Sequence, residues 1–222
     1  MPGLNVCFRH PSSIICAGPS QSGKTQFCLM LLRHMRLLFD PCPTRVIFVY
    51  QEWQEPYAVM KSEGLVDDWI HGNVTFEQLR SLILPHRTKG GVLLVVDDNL
   101  DFMGSEAYLK LSSVSIHHYK CSLMTISQSI FYESKTYRIC SSNAHYFVLM
   151  KTLRNFRDVS TLFSQIRPTK ASTYVEIFQK ATRLPYSFLV IDLHMASSDL
   201  TRLRTNIFPH QKPMLTFIEN SD

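Results

Sequence analysis

The sequence predicts a three-layer α/β domain built on a mainly parallel central sheet, and three observations carry that prediction. Short apolar runs alternate with longer amphipathic stretches along most of the chain. The first run feeds a glycine-containing turn that opens a helix, and the third ends in two adjacent carboxylates. Strands that alternate with helices form parallel pairs, because each pair needs a crossover, and the crossovers cover both faces of the sheet.

The elements follow in order. Residues Ser13–Ala17 read as the first strand, and 25–38 has helical spacing. The β-branched and aromatic run Arg45–Tyr50 is the second strand. Amphipathic segments at 56–63 and 75–84 follow it. The third strand, 91–97, is bounded by Gly90-Gly91. A helical stretch at 105–118 leads to a fourth strand at 122–127. The fifth and sixth fall at 145–150 and 187–192, with helices near 156–166 and 170–181 between them. From Ala196 onward no strong periodicity remains, and Pro209 and Pro213 argue for an extended segment packed on the domain or on a neighbour. One domain is therefore expected over 1–210, with a tail at 211–222.

Composition narrows the class. A chain of 222 residues fits one sizeable domain, and 45% hydrophobic with 18% charged residues is ordinary for a soluble globular protein. The longest apolar runs, such as 92–96, fall far short of the roughly 20 residues a membrane span needs, so no membrane association is expected. The amino terminus MPGLNVCFRH lacks the basic start and apolar core of a secretory signal, which predicts an intracellular protein. Six cysteines at 7, 16, 28, 42, 121 and 140 include no CxxC pair, and read as reduced thiols rather than a disulfide or zinc framework. Residues 1–110 hold 10 Lys/Arg against 11 Asp/Glu, and residues 111–222 hold 13 against 7. That basic second half suits a polyanionic partner, or equally a merely solvated surface.

The chemistry lies in three places. Gly18-Pro19-Ser20-Gln21-Ser22-Gly23-Lys24-Thr25 fits G-x-x-x-x-G-K-S/T without mismatch, with a strand entering and a helix leaving. Its glycines let backbone N–H groups turn inward around the β- and γ-phosphates of ATP, at the positive end of the helix. Lys24 then neutralises phosphate oxygens, and the Thr25 hydroxyl completes a Mg²⁺ shell. Asp97, at the end of Val92-Leu93-Leu94-Val95-Val96-Asp97-Asp98, would hold the Mg²⁺ through water, and Asp98 would orient and deprotonate the attacking water. Two carboxylates at a buried strand end are costly, because like charges repel in low dielectric, and a divalent cation relieves that cost. Gln128 closes the fourth strand, where a γ-phosphate sensor sits in ATPases that insert a strand between the two motif strands. The order of these parts is that of a three-layer P-loop NTPase of the RecA/ASCE-like kind. A second carboxylate beside Asp97 favours hydrolysis over transfer to a small molecule. His117 and His118, adjacent on a helix, point in different directions and read as a polar helix end rather than a metal pair.

The combination GPSQSGKT, LLVVDDN and TISQSIF resembles the HerA–FtsK superfamily of DNA-pumping ATPases, and within it the packaging ATPases of Polinton/Maverick elements, adintoviruses and poxviruses. Further segments agree: His10-Pro11-Ser12-Ser13, Tyr137-Arg138, Asn143-Ala144-His145-Tyr146 and Arg154-Asn155-Phe156-Arg157-Asp158. Phe188-Leu189-Val190-Ile191-Asp192-Leu193 and Arg202-Leu203-Arg204-Thr205-Asn206-Ile207-Phe208-Pro209 complete the likeness, which runs from about residue 8 to 210. The resemblance implies a homo-oligomeric ring, hexameric by analogy, that drives double-stranded DNA into a capsid in the host cytoplasm or nucleus. It also implies ATP between subunits, with an arginine finger from the neighbour. Relatives often carry an arginine just before the fourth strand, where this chain has Lys120. The finger is then Lys120, Arg138, Arg154 or Arg157, with Arg157 preferred, because lysine lacks the planar fork that grips two oxygens. Two other readings stay open: a nucleotide-binding protein without turnover, and a small-molecule kinase.

Overall fold

The computed structural model describes residues 7–154, 156–211 and 213–218. The amino-terminal hexapeptide, Asn155, Lys212, the last four residues of the tail and the side chains of Val114, Ser115 and His117 lie outside the described residues. In chain order the strands are β1 (Phe8–Arg9), β2 (Ser13–Ala17), β3 (Phe39–Asp40), β4 (Arg45–Tyr50), β5 (Asp68–His71), β6 (Val92–Asp97), β7 (Cys121–Ser127), β8 (Tyr146–Met150), β9 (Phe188–Asp192), β10 (Leu203–Thr205) and β11 (Leu215–Phe217). β1 pairs with β3, and the other nine form one sheet in the order β11-β10-β9-β8-β2-β7-β6-β4-β5. From β8 to β5 every pair is parallel, whereas β9, β10 and β11 are added antiparallel at the other edge. The sheet is mainly parallel, as the alternation of elements predicts.

Both faces are buried, and the period-2 geometry of a strand shows how. Ile14, Cys16, Val46, Phe48, Leu93, Val95, Met124, Ile126 and Val148 point into one core with Phe27, Leu31 and Tyr57 of helices Lys24–Arg33 and Glu55–Ser62. Their neighbours point the other way. Ile15, Leu149 and Leu189 meet helices Phe156–Ile166 and Ala171–Ala181, while Ile47, Leu94 and Leu123 meet helices Phe76–Ile83 and Glu106–Lys110. Three layers result, with runs such as Val92–Asp97 buried along their whole length.

Four details differ from the sequence expectation. The helix expected over 25–38 breaks at His34 into Lys24–Arg33 and Met35–Leu38, and the stretch at 105–118 carries a π-helical segment at Leu111–Ser115. β5 has no apolar alternation to announce it. It is a four-residue edge strand, only partly buried, fastened to β4 by Arg45, whose Nε and Nη2 donate to Asp68 at 2.8 and 3.0 Å. The segment after Ala196 contributes β10 and β11 to the sheet edge. Arg204 of β10 is fully buried, donates to Asp192 Oδ2 at 3.1 Å and to Thr201 O at 2.7 Å, and lies 5.9 and 6.0 Å from the ring centres of Phe8 and Tyr146.

Candidate functional site

Strand order assembles the site. β7 lies between β2 and β6, with Ala17 opposite Ser127 and Asp97 opposite Ile126. The three strands therefore finish together at one end of the sheet, so the loop 18–25, Asp97-Asp98 and Gln128 share that end although up to 110 residues separate them. In open parallel sheets this carboxyl end is where ligands bind.

The loop is built to face an anion. Gln21 and Gly23 take positive φ, 61° and 97°, which turns successive amides inward. Gly18 has no room for a side chain: a Cβ there would stand 2.6 Å from Met150 Cβ. Helix Lys24–Arg33 starts at Gly23 with no side-chain cap and no acidic residue in its first turn, so its amino-terminal N–H groups and dipole are uncompensated. Ser22 Oγ is buried without a hydrogen-bond partner among the described residues. Lys24 is buried, and its Nζ donates to Gly18 O at 2.8 Å and Pro19 O at 2.9 Å. Burial lowers its pKa, and the carboxylates of Asp98 and Asp97 oppose that. Uncapped amides, an orphaned hydroxyl and a lysine held on loop carbonyls together fit a triphosphate.

The acidic side is equally specific. Asp97 is 3% exposed, and burial raises its pKa from 3.8 to about 6. Its Oδ2 accepts from Tyr57 Oη at 2.7 Å and lies 3.4 Å from Thr25 Oγ1, which donates to Gln54 Oε1 at 3.0 Å. The oxygens of Thr25, Asp97 and Gln54 thus converge beside the loop, and hard oxygen donors of this kind fit Mg²⁺. Asp98 leaves the strand at φ 46°, where Asp is among the more tolerated residues, and its Oδ2 accepts from Gln128 Nε2 at 2.6 Å. Asp98 Oδ1 is buried with no partner among the described residues. Tyr132 Oη accepts from the backbone N–H groups of Gln128 and Ser129 at 3.0 and 3.3 Å, which fixes the end of β7.

The basic residues are more dispersed. Arg154 and Lys151 line the cleft of about 880 Å³ beside Pro19, Gln21, Gln128 and Tyr186. Arg157 is exposed; its sequence neighbour Asp158 is engaged by Ser129 Oγ at 3.2 Å, and Asp192 by Arg204. Arg138 Nη2 donates to Glu133 O at 3.1 Å. Lys120, at φ 49°, precedes β7 at the end of the sheet opposite the loop, so it could serve only a neighbouring subunit's site. Sequence reasoning did not single out Gln54, Tyr57, Tyr132 or Tyr186. The one available signal was that 51–57 follows β4 at the carboxyl end of the sheet.

Fold and site together define a three-layer P-loop NTPase architecture with a strand inserted between the two motif strands. No protein-family model matches the chain, and no curated protein matches its sequence. Among solved structures, the chain is similar to the genome packaging NTPase B204 from Sulfolobus turreted icosahedral virus 2. The complex with ATP-gammaS matches with a TM-score of 0.53 and 16% identity over 82% of this chain and 92% of that one. The AMPPCP complex gives a TM-score of 0.52 at the same identity and coverage. The cytoplasmic domain of EssC gives 0.49 at 9% identity, over 70% of this chain and 35% of that one. At 16% identity the likeness to the B204 structures establishes the fold alone. Among the described residues no helix is long and apolar enough to cross a membrane.

Proposed function

We propose that this chain is an ATP-hydrolysing motor that moves double-stranded DNA into a viral-type capsid. The observation that carries hydrolysis is the 2.6 Å hydrogen bond from Gln128 to Asp98, on adjacent strand ends beside the phosphate loop. A carboxylate held there by an amide can take the proton of a water, while the same amide orients the water toward the terminal phosphorus. Lys24 and the loop amides bind and neutralise the phosphates. Thr25 and Asp97 would hold Mg²⁺, which when bound supplies charge stabilisation on the phosphoryl oxygens. Tyr57 positions the Asp97 carboxylate.

The DNA-packaging part rests on the residue likeness to HerA–FtsK packaging ATPases of Polinton, adintovirus and poxvirus type, together with the fold shared with a genome packaging NTPase. On this reading the chain works as a homo-oligomeric ring, hexameric by analogy, with a capsid protein as partner, inside the host cell where virions assemble. An exposed arginine with no acidic partner among the described residues can enter a neighbour's site, and Arg157 is the preferred finger, ahead of Lys120, Arg138 and Arg154.

The test is the rate of ATP hydrolysis against protein concentration, with and without duplex DNA. A ring motor shows a rate per subunit that rises with concentration and with DNA, is lost in Lys24→Ala, and loses its Mg²⁺ dependence in Asp97→Asn. A rate indifferent to both concentration and DNA sinks the motor. Tight ATP binding without turnover identifies a nucleotide-binding protein that does not hydrolyse, and phosphoryl transfer to a small acceptor identifies a kinase.

A further inference from the structure

The rim of the phosphate loop holds a residue that the steps above leave unused. Tyr186 is 70% exposed, yet its backbone sits at φ 59°, the left-handed region that side chains other than Gly, Asn and Asp rarely adopt. It is the third residue of a turn closed by Ser187 N donating to Leu184 O at 3.4 Å, with Pro185 in second place. Glycine or asparagine is the usual choice at such a position. An exposed aromatic retained in an unfavourable backbone conformation points to use rather than to packing.

The ring lies over the start of the loop helix: a Cβ on Gly23 would come 3.3 Å from Tyr186 Cδ1. Tyr186 also borders two clefts at once. One is the phosphate cleft with Pro19 to Ser22, and the other, about 340 Å³, is lined by Gly23, Gln26, Phe208, His210 and Gln211. In the second cleft the His210 ring stacks on Phe208, centres 5.9 Å apart and planes 4° from parallel, and Phe208 is anchored on Phe27 and Phe188. Gln211 Oε1 is buried there without a partner among the described residues. A flat ring system answers the aromatic walls of this cleft.

We propose that Tyr186 and the segment 208–211 form the base subsite of the nucleotide site, with a purine stacked on Tyr186 and walled by the Phe208–His210 pair. The inference rests on the reading of the loop 18–25 as a nucleotide site and adds recognition of the base to it. It assigns to the carboxyl-terminal segment a direct contact with substrate.

The experiment is calorimetric titration of the full chain with ATP, GTP and inorganic tripolyphosphate, each with Mg²⁺. Wild type is expected to bind ATP and GTP each about tenfold or more tighter than tripolyphosphate, which has no base. Tyr186→Gly weakens ATP about tenfold and leaves tripolyphosphate within about twofold, because only the stacking surface is lost. Its melting temperature does not fall, since glycine accepts the positive φ, so weakened binding cannot be assigned to unfolding. Equal ATP affinity in Tyr186→Gly, or wild type binding tripolyphosphate as tightly as ATP, overturns the base subsite while tripolyphosphate binding leaves the loop's role standing. Failure of wild type to bind tripolyphosphate or ATP overturns the nucleotide site and the base subsite together.

Discussion

The carboxylate of Asp97 offers a quantitative test of the site's electrostatics. It is 3% exposed, and its proton leaves at a pH of about 6 in the folded chain against 3.8 ordinarily, chiefly because burial penalises the charge. Asp98 next to it adds to the shift, while Tyr57, Lys24 and Thr25 oppose it. Below pH 3.8 both folded and unfolded chains hold the proton, and the group costs nothing. As the pH rises toward about 6 the unfolded chain has released its proton and the folded chain has not, so stability falls, and above that it levels off. Moving the group from 3.8 to about 6 corresponds to ~3 kcal/mol of differential interaction between its two protonation states. Asp97→Asn removes the charge but keeps an oxygen for Tyr57 and Thr25. Without Mg²⁺ the variant is expected to exceed wild type by up to ~3 kcal/mol at pH 8, about 6–12 °C in melting temperature for a chain of this size. At pH 4 the gap closes to under ~1 kcal/mol. Melting curves of both proteins from pH 4 to 8 read the difference directly, and changes common to both cancel. With Mg²⁺ and ATP added, wild type gains stability at pH 8 and the variant gains far less. A variant less stable than wild type at pH 8, or a gap that does not change with pH, would refute the assignment of Asp97 as a strained carboxylate awaiting a cation.

Other predictions concern the Gln128–Asp98 pair, the loop and the sheet edge. Gln128→Ala is expected to lower turnover about 100-fold by freeing the Asp98 carboxylate, with ATP affinity nearly unchanged. Phosphate release and calorimetry separate the two, and an unaltered rate removes Gln128 from the reaction. Gly18→Ala places a Cβ 2.6 Å from Met150 Cβ. Its expected cost is ~1–3 kcal/mol in urea unfolding, with loss of nucleotide binding. Arg204→Met leaves the Asp192 carboxylate buried without its ion pair and is expected to cost ~3–5 kcal/mol, read in the same way. A small effect there would refute the stabilising role assigned to the buried Arg204–Asp192 pair.

Much of the fold and of the core of the site was legible in the sequence, because the signals are local. The loop 18–25 announces itself through glycines that only a tight anion-facing turn requires. The strand Val92–Asp97 announces itself through an apolar run cut off by two carboxylates, and Gln128 through its place at the end of the next such run. Strand alternation gave the parallel sheet, since a fully buried strand must be apolar on both sides. What the sequence left open depends on which strand ends lie side by side. Tyr57 meets Asp97 from 40 positions away, and Gln54 meets Thr25 from 29, only because β4 packs beside β6. β5 was hidden because an edge strand needs little apolar surface. β10 and β11 were hidden because three-residue strands gain their pairing from the sheet they join. Arg204, one of many basic residues in the second half of the chain, became the buried partner of Asp192 only when β10 was laid against β9. The sequence by itself determined the composition of the candidate site, because the loop 18–25, Asp97-Asp98 and Gln128 lie in short contiguous motifs. The tertiary structure decided which polar groups hold those motifs in place and where Tyr186 stands, because those contacts join residues that chain order keeps far apart.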